Sequence, residues 1–118
     1  MPVANAYGKE AEQIACVWLK RQGLLEVTRN FSCRFGEIDL VMQDADSLVF
    51  VEVRARSSAA FGGAAASVTT QKQQKIRRTA AFYLTKHPAR QGRDARFDVV
   101  CLDGSPARIT WIKNAFGA

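Results

Sequence analysis

The chain has 118 residues, 47% hydrophobic and 24% charged, which is the balance of one globular domain with a core of its own rather than of a disordered or a membrane protein. Lys and Arg number 17 against 11 Asp and Glu, a net charge of +6 that favours polyanionic partners, nucleic acid foremost, although basic composition also serves solubility alone. The three cysteines, Cys16, Cys33 and Cys101, have neither the spacing of a zinc site nor the even count of a disulfide framework, and are expected as reduced thiols. Met1 to Gln13 lacks the apolar centre of a secretory leader, and no apolar run approaches the ~20 residues that span a bilayer. A single cytoplasmic domain over residues 1–118, without membrane contact, is expected.

From Tyr7 to Gln22, Ala11, Ile14, Ala15, Trp18 and Leu19 recur at helical spacing, predicting an amphipathic helix that Gly23 ends. Leu24 to Phe31 alternates loosely and carries β-branched Val27 and Thr28, a first strand leading into the basic segment Arg29 to Arg34. Glu37–Gln43 and Leu48–Arg56, either side of a turn at Asp44 to Ser47, read as a hairpin. Its second strand is apolar on both faces, which places it mid-sheet with helices on both sides.

Ser57 to Ser67 is small and Gly-rich and reads as a mobile loop near the site. Thr69 or Thr70 caps a helix to about Lys86, with Ile76, Ala80, Tyr83 and Leu84 inside, a basic flank of Lys72, Lys75, Arg77 and Arg78, and His87-Pro88 as its stop. Arg96–Leu102 and Arg108–Ile112 are the remaining strands, with a short tail after 112. The order helix, three strands, helix, two strands specifies an α/β fold with one central mixed sheet flanked by helices.

The hairpin carries the chemistry. If Gln43 faces Leu48, then Asp39 faces Glu52 and Glu37 faces Arg54. Two carboxylates so opposed repel unless a cation lies between them, and Glu52, flanked by Val51 and Val53, is costly to bury unpaired. Oxygen ligands of this kind suit Mg²⁺ or Mn²⁺, which would polarise a phosphate and activate water while Arg54, on the face of Glu52, steadies the developing charge.

Gly8 to Glu12 with Ala15, Arg29-Asn30, Phe35-Gly36-Glu37-Ile38-Asp39-Leu40, Phe50-Val51-Glu52-Val53-Arg54, Lys72 and Arg96-Phe97-Asp98-Val99 together resemble the YraN-like family of predicted endonucleases, in the restriction-endonuclease-like superfamily with the archaeal Holliday-junction resolvases. The resemblance covers Gly8 to about Asp103. It implies an Asp…Glu-x-Lys metal site falling on Asp39 and Glu52, to which Glu12 matches the helix-borne acid that some members add. The third position departs from the pattern: lysine can shed a proton and help activate water, whereas Arg54 stays charged and can only hold phosphate or a carboxylate.

The expectation is therefore a divalent-metal-dependent endonuclease acting on DNA rather than RNA, on branched or flapped substrates, with Asp39, Glu52 and Arg54 catalytic and Asp39, Glu52 and Glu12 holding metal. Glu37 supports Arg54, and Arg29, Arg34, Arg56, Lys72, Lys75 and Arg78 grip phosphates. The alternative is a non-catalytic nucleic-acid-binding module on a degenerate nuclease fold. Plainer roles fit the same residues: Glu52 paired with Arg54 or Arg56, Asp39 with a backbone donor, Glu12 solvated on a helix face, and His87 capping a helix. Trp18, Trp111 and Tyr83 are read as core, and Phe31 and Phe35 as candidate base-stacking rings. Two copies could pair to cut both strands, so a homodimer is kept open.

Overall fold

Leu48, Val49, Phe50 and Val51 are all buried, and since successive strand residues point to opposite faces, their strand needs a cover on each side. The computed structural model describes residues 2–56, 65–90, 92, 94–104 and 106–117, with side chains from Gly8 onward apart from residue 66. Helix α1 (Pro2–Arg21) covers one face and α2 (Thr70–Lys86) the other. Between them lie β1 (Leu25–Cys33), β2 (Gly36–Asp44), β3 (Ser47–Arg56), β4 (Ala95–Asp103) and β5 (Arg108–Phe116). The strands follow one another in sequence order across the sheet. Only β3 and β4 run parallel, because α2 carries the chain back over the sheet between them. This is the α/β, restriction-endonuclease-like arrangement expected from the sequence. Among the described residues no helix is long and apolar enough to cross a membrane.

Each face has its own core. Ala15, Cys16 and Leu19 of α1 pack on Leu40, Met42, Val49 and Val51, and Ile76, Ala80 and Tyr83 of α2 pack on Ile38, Val41, Phe50 and Phe97. Trp18 and Trp111 meet edge to face at 5.7 Å beside the first core. Gly23, at φ +103°, turns the chain out of α1 in a conformation that other residues resist. Thr69 caps α2 by accepting the Lys72 N–H, and His87 closes it by donating its N–H to the Leu84 carbonyl. Cys16, Cys33 and Cys101 are all free thiols.

Several boundaries differ from the sequence reading: α1 begins at Pro2 rather than near Tyr7, and β1 runs on from Phe31 to Cys33. The last strand does not stop near Ile112 in a tail: it runs to Phe116, which is buried and stacks on Phe97 at 5.1 Å. Asn114 adopts a left-handed φ of +52°, and the register slips between Phe97 and Val99, so the strand bulges and then resumes pairing, which a polar Lys113-Asn114 pair conceals. Of the expected loop Ser57 to Ser67, residues 57–64 lie outside the described residues, and Ala65–Ser67 form a turn of 3-10 helix.

The bulge is organised by Asp98, which is fully buried. Its carboxylate accepts from Arg96 Nε at 3.0 Å, Trp111 Nε1 at 2.9 Å and the Asn114 backbone N–H at 2.9 Å. Arg96 also reaches Asp44 at 2.9 Å, tying β4 to the end of β2. Removing one partner of such a buried network strands the others. Asp98→Ala is therefore expected to lose roughly 3–5 kcal/mol in urea unfolding; a loss under about 1 kcal/mol, the level of an exposed pair, would show that the network does not hold the strand.

Candidate active site

The hairpin register is Gln43 opposite Leu48, as the sequence reading has it, and the ladder runs to Leu40 opposite Val51. There it stops. The next donor, the Val53 N–H, is taken at 2.8 Å by the Asp39 side chain instead of a backbone carbonyl. The strand loses its alternation at the same point, for Ile38 faces the α2 core and Leu40 the α1 core although residues two apart normally share a face. Asn30, across from Asp39 on β1, is left-handed at φ +52°, and its amide donates to Glu12 Oε1 at 2.8 Å. Two adjoining strands are thus kinked side by side, and the end of the sheet opens into a cleft of about 290 Å³ that contains Glu12, Asp39, Glu52, Arg54 and Lys72.

The electrostatics of this cleft are unfavourable to the protein alone. Glu52 is 4% exposed. Its Oε2 has Arg54 at 3.3 Å and Lys72 at 3.5 Å, longer than the 2.7–2.9 Å of a well-formed charge-assisted bond. Asp39 is pushed up to about 7, first by burial and then by the charge of Glu52, against the pull of the Val53 N–H. Glu12 is also raised, by burial foremost, with the Asn30 bond lowering it and the Asp39 charge raising it. Three carboxyl groups thus adjoin one another, and the two cations at hand both reach Glu52 rather than Asp39.

The fit to a divalent ion follows from the donor set. Among the described residues, no group of three or more His, Cys, Asp or Glu side chains closes into a ready-made metal cage. The cleft offers instead Asp39 and Glu52, with Glu12 beside Asp39 and one of its oxygens held by Asn30. One or two carboxylates, completed by water and substrate oxygens, is the usual provision for Mg²⁺, whereas a dedicated all-protein cage is not.

Comparison with known proteins supports the motif resemblance. The family model described as "Uncharacterised protein family UPF0102" matches residues 11–102, the span that holds Glu12, Asp39, Glu52, Lys72 and Asp98. The chain belongs to the UPF0102 family. Its relatives include UPF0102 proteins of Legionella pneumophila, 50% identical over 94% of both chains, of Nitrosomonas europaea, 49% over 98% of both, and of Pseudomonas aeruginosa, 46% over 94% of this chain and 92% of the relative. The YraN-like resemblance and the UPF0102 family are the same grouping.

Within this UPF0102 chain the expected site residues divide. Glu12, Asp39, Glu52 and Arg54 come together, and both plainer contacts also form, Glu52 with Arg54 and Asp39 with a backbone N–H. Glu37 lines the cleft but makes no bond to Arg54, whose guanidinium goes to Glu52 and, at 2.7 Å, to Ser67 Oγ. Arg56 and Lys72 lie at the cleft, Lys75 and Arg78 are exposed along α2, and Arg34 is exposed at the β1–β2 turn. Arg29 is apart from them, bound to Glu26 at 2.7 Å and to Gln13. Phe31 packs edge-on against Tyr83 at 5.1 Å, and His87 lies against the Tyr83 ring at 4.2 Å. The sequence reading gave Asn30 no role and counted Lys72 only among phosphate grips. The left-handed turn that aims Asn30 and the path that brings α2 over Glu52 are tertiary features, although an asparagine inside a strand is a weak signal of the first.

The weakened acidity of Asp39 has a definite sign in stability. A carboxyl whose folded value, about 7, exceeds its ordinary 3.8 binds its proton more tightly in the folded state, so its stabilising contribution is full below about pH 4 and is lost as pH rises through about 7. Asp39→Asn keeps an oxygen for the Val53 N–H and removes the charge. Melting curves without divalent ions are expected to match the parent near pH 4 and to lie above it at pH 8; parallel curves across that range would contradict the assigned cause.

Proposed function

We propose that the protein is a divalent-metal-dependent phosphodiester hydrolase acting on DNA. The observation that carries this reading is the juxtaposition of Asp39 and Glu52 beneath a cleft that is also lined by the cations Arg54, Arg56 and Lys72. Asp39 and Glu52 would hold Mg²⁺ or Mn²⁺, with Glu12 alongside. When bound, such an ion supplies Lewis-acid polarisation of the scissile phosphate and activation of an attacking water. The chain's own residues do the rest. Arg54 and Lys72 present positive charge to the phosphate oxygens where negative charge develops, and Ser67 fixes the Arg54 guanidinium from its far side. The Val53 N–H holds Asp39 in the orientation that faces Glu52.

Lys72 changes the weight of Arg54. The superfamily pattern has lysine where this chain has Arg54, and the structure brings a lysine to the same carboxylate from α2. Arginine offers a fixed planar fork and lysine a compact mobile charge, so the two divide between them the work of gripping and following a phosphate.

A second reading is a nucleic-acid-binding module without catalysis on the same fold. It is favoured by Arg54, which cannot shed a proton and spends part of its fork on Ser67. On either reading the partner is DNA, reached through a basic surface and expected outside any membrane.

Cleavage of labelled linear, flapped and four-way-junction DNA in Mg²⁺ or Mn²⁺ tests the proposal. Metal-dependent cutting is expected in the parent, absent in Glu52→Gln and down about a hundredfold in Lys72→Ala, the usual cost of deleting one preorganised charge donor. Mn²⁺ should raise the melting temperature of the parent and not of Glu52→Gln. Equal thermal shifts in both would remove the metal from this site, and gel shifts without cutting, persisting in Arg54→Lys, would select the second reading.

A further inference from the structure

From Val53 to Arg93 the sequence has nine Lys and Arg and no Asp or Glu. Five of those cations lie on α2. Arg77 is used within the fold, donating to the Gly117 carbonyl and covering the Phe116 ring. Lys75 and Arg78, both exposed, have no acidic partner among the described residues. With Phe82 and Lys86 they form one flank of the helix, next to its buried stripe. That flank faces the β1–β2 turn. Lys75 and Thr79 press so closely on Gly36 that a Cβ there would sit 3.2 Å from Thr79 Oγ1, and Phe82 meets Phe35 at 6.0 Å, edge to face.

Phe35 and Phe82 are the unusual pair. Both are partly buried, and neither belongs to the core beneath α2 or to the hydrophobic residues packed against it. They touch each other, and Phe82 rests on Phe31 at 6.3 Å. Each ring has a cation over it, Arg34 over Phe35 at 4.9 Å and Lys86 over Phe82 at 5.3 Å. Surface aromatics that the core does not use, framed by cations, match the composition of single-strand binding sites, in which rings stack on bases and the cations follow the backbone. Base pairs in a duplex are already stacked and would leave these rings idle.

We infer that the Phe35–Phe82 pair, with Arg34, Lys75, Arg78 and Lys86 around it, is a binding strip for an unpaired DNA strand entering or leaving the cleft. The strip begins at Lys72 in the cleft and follows α2 for about 20 Å at the helical rise, a length suited to the short runs of nucleotides that small single-strand sites hold. Its direction rests on the hydrolase reading, since the cleft is where the strand would be cut; its binding does not. A substrate with an unpaired stretch beside the scissile phosphate is the class that uses both.

The test is fluorescence anisotropy in EDTA with a labelled single-stranded oligothymidylate and a blunt duplex of equal length, using Phe35→Leu/Phe82→Leu, which keeps apolar bulk and removes the rings. The single strand is expected to bind the parent more tightly than the duplex, and the double variant to lose about tenfold or more of that affinity while its duplex binding changes less than twofold. Phe82→Trp should restore single-strand binding, with indole emission quenched by the stacked base. An equal loss for both DNAs, or no loss for the single strand, overturns the strip. Ring-dependent binding in a protein that cuts nothing with metal would keep the strip and sink the hydrolase, and metal-dependent cutting with ring-independent binding would do the reverse.

Discussion

The cleft depends on one hydrogen bond, from the Val53 N–H to the Asp39 carboxylate. A hairpin whose backbone paired to its end would put Asp39 and Glu52 flat against each other on a closed sheet, with no room above them. By accepting in place of a carbonyl, Asp39 satisfies a donor that would otherwise be orphaned at the edge of a buried strand, and in doing so it parts β2 from β3. The same act brings its charge beside Glu52, so the opening of the cleft and its electrostatic stress have a single origin. Asn30, turned left-handed across from Asp39 and bonded to Glu12, extends the opening to α1.

That stress is held in place by a rigid surround. β3 is buried on both faces and paired along its length with β4, so Glu52 cannot swing away from Asp39 without disturbing the middle of the sheet. Asp98 secures the far side by gathering Arg96, Trp111 and Asn114, and through Arg96 it reaches back to Asp44 at the hairpin turn. The proposed chemistry thus relies on stability supplied elsewhere, as strained sites generally do. Lys72, from the first turn of α2, is the adaptable cation, while Arg54 near the end of β3 is held by Ser67.

The sequence disclosed most of this frame because its signals were local. The two-faced apolar run of β3, the helical spacing of Ala11, Ala15 and Leu19, the Thr69 cap and the register from Gln43 and Leu48 each lie within one element or one turn, and the structure has them where they were read. Counting along that register also set Asp39 against Glu52, and motif resemblance added the family. What stayed hidden were features created by the chain meeting itself: the loss of alternation at Asp39, the approach of Lys72 from α2, and the continuation of β5 past Asn114 to Phe116. Glu37 shows the converse error, a cross-strand partner extrapolated past the point where the strands part. Phe31 shows another, since its place in a basic segment does not reveal that α2 will cover it.

The interruptions in the two outer strands have a consequence for how copies of the protein can meet. β1 slips register between Glu26 and Thr28 and turns left-handed at Asn30, and β5 slips opposite Asp98 and turns left-handed at Asn114. An outer strand so bent presents no continuous row of N–H and C=O groups on which another strand could grow. Both margins of the sheet are thereby blunted against growth by strand addition, which favours helix faces or loops over the sheet's edges as the meeting surfaces of two copies.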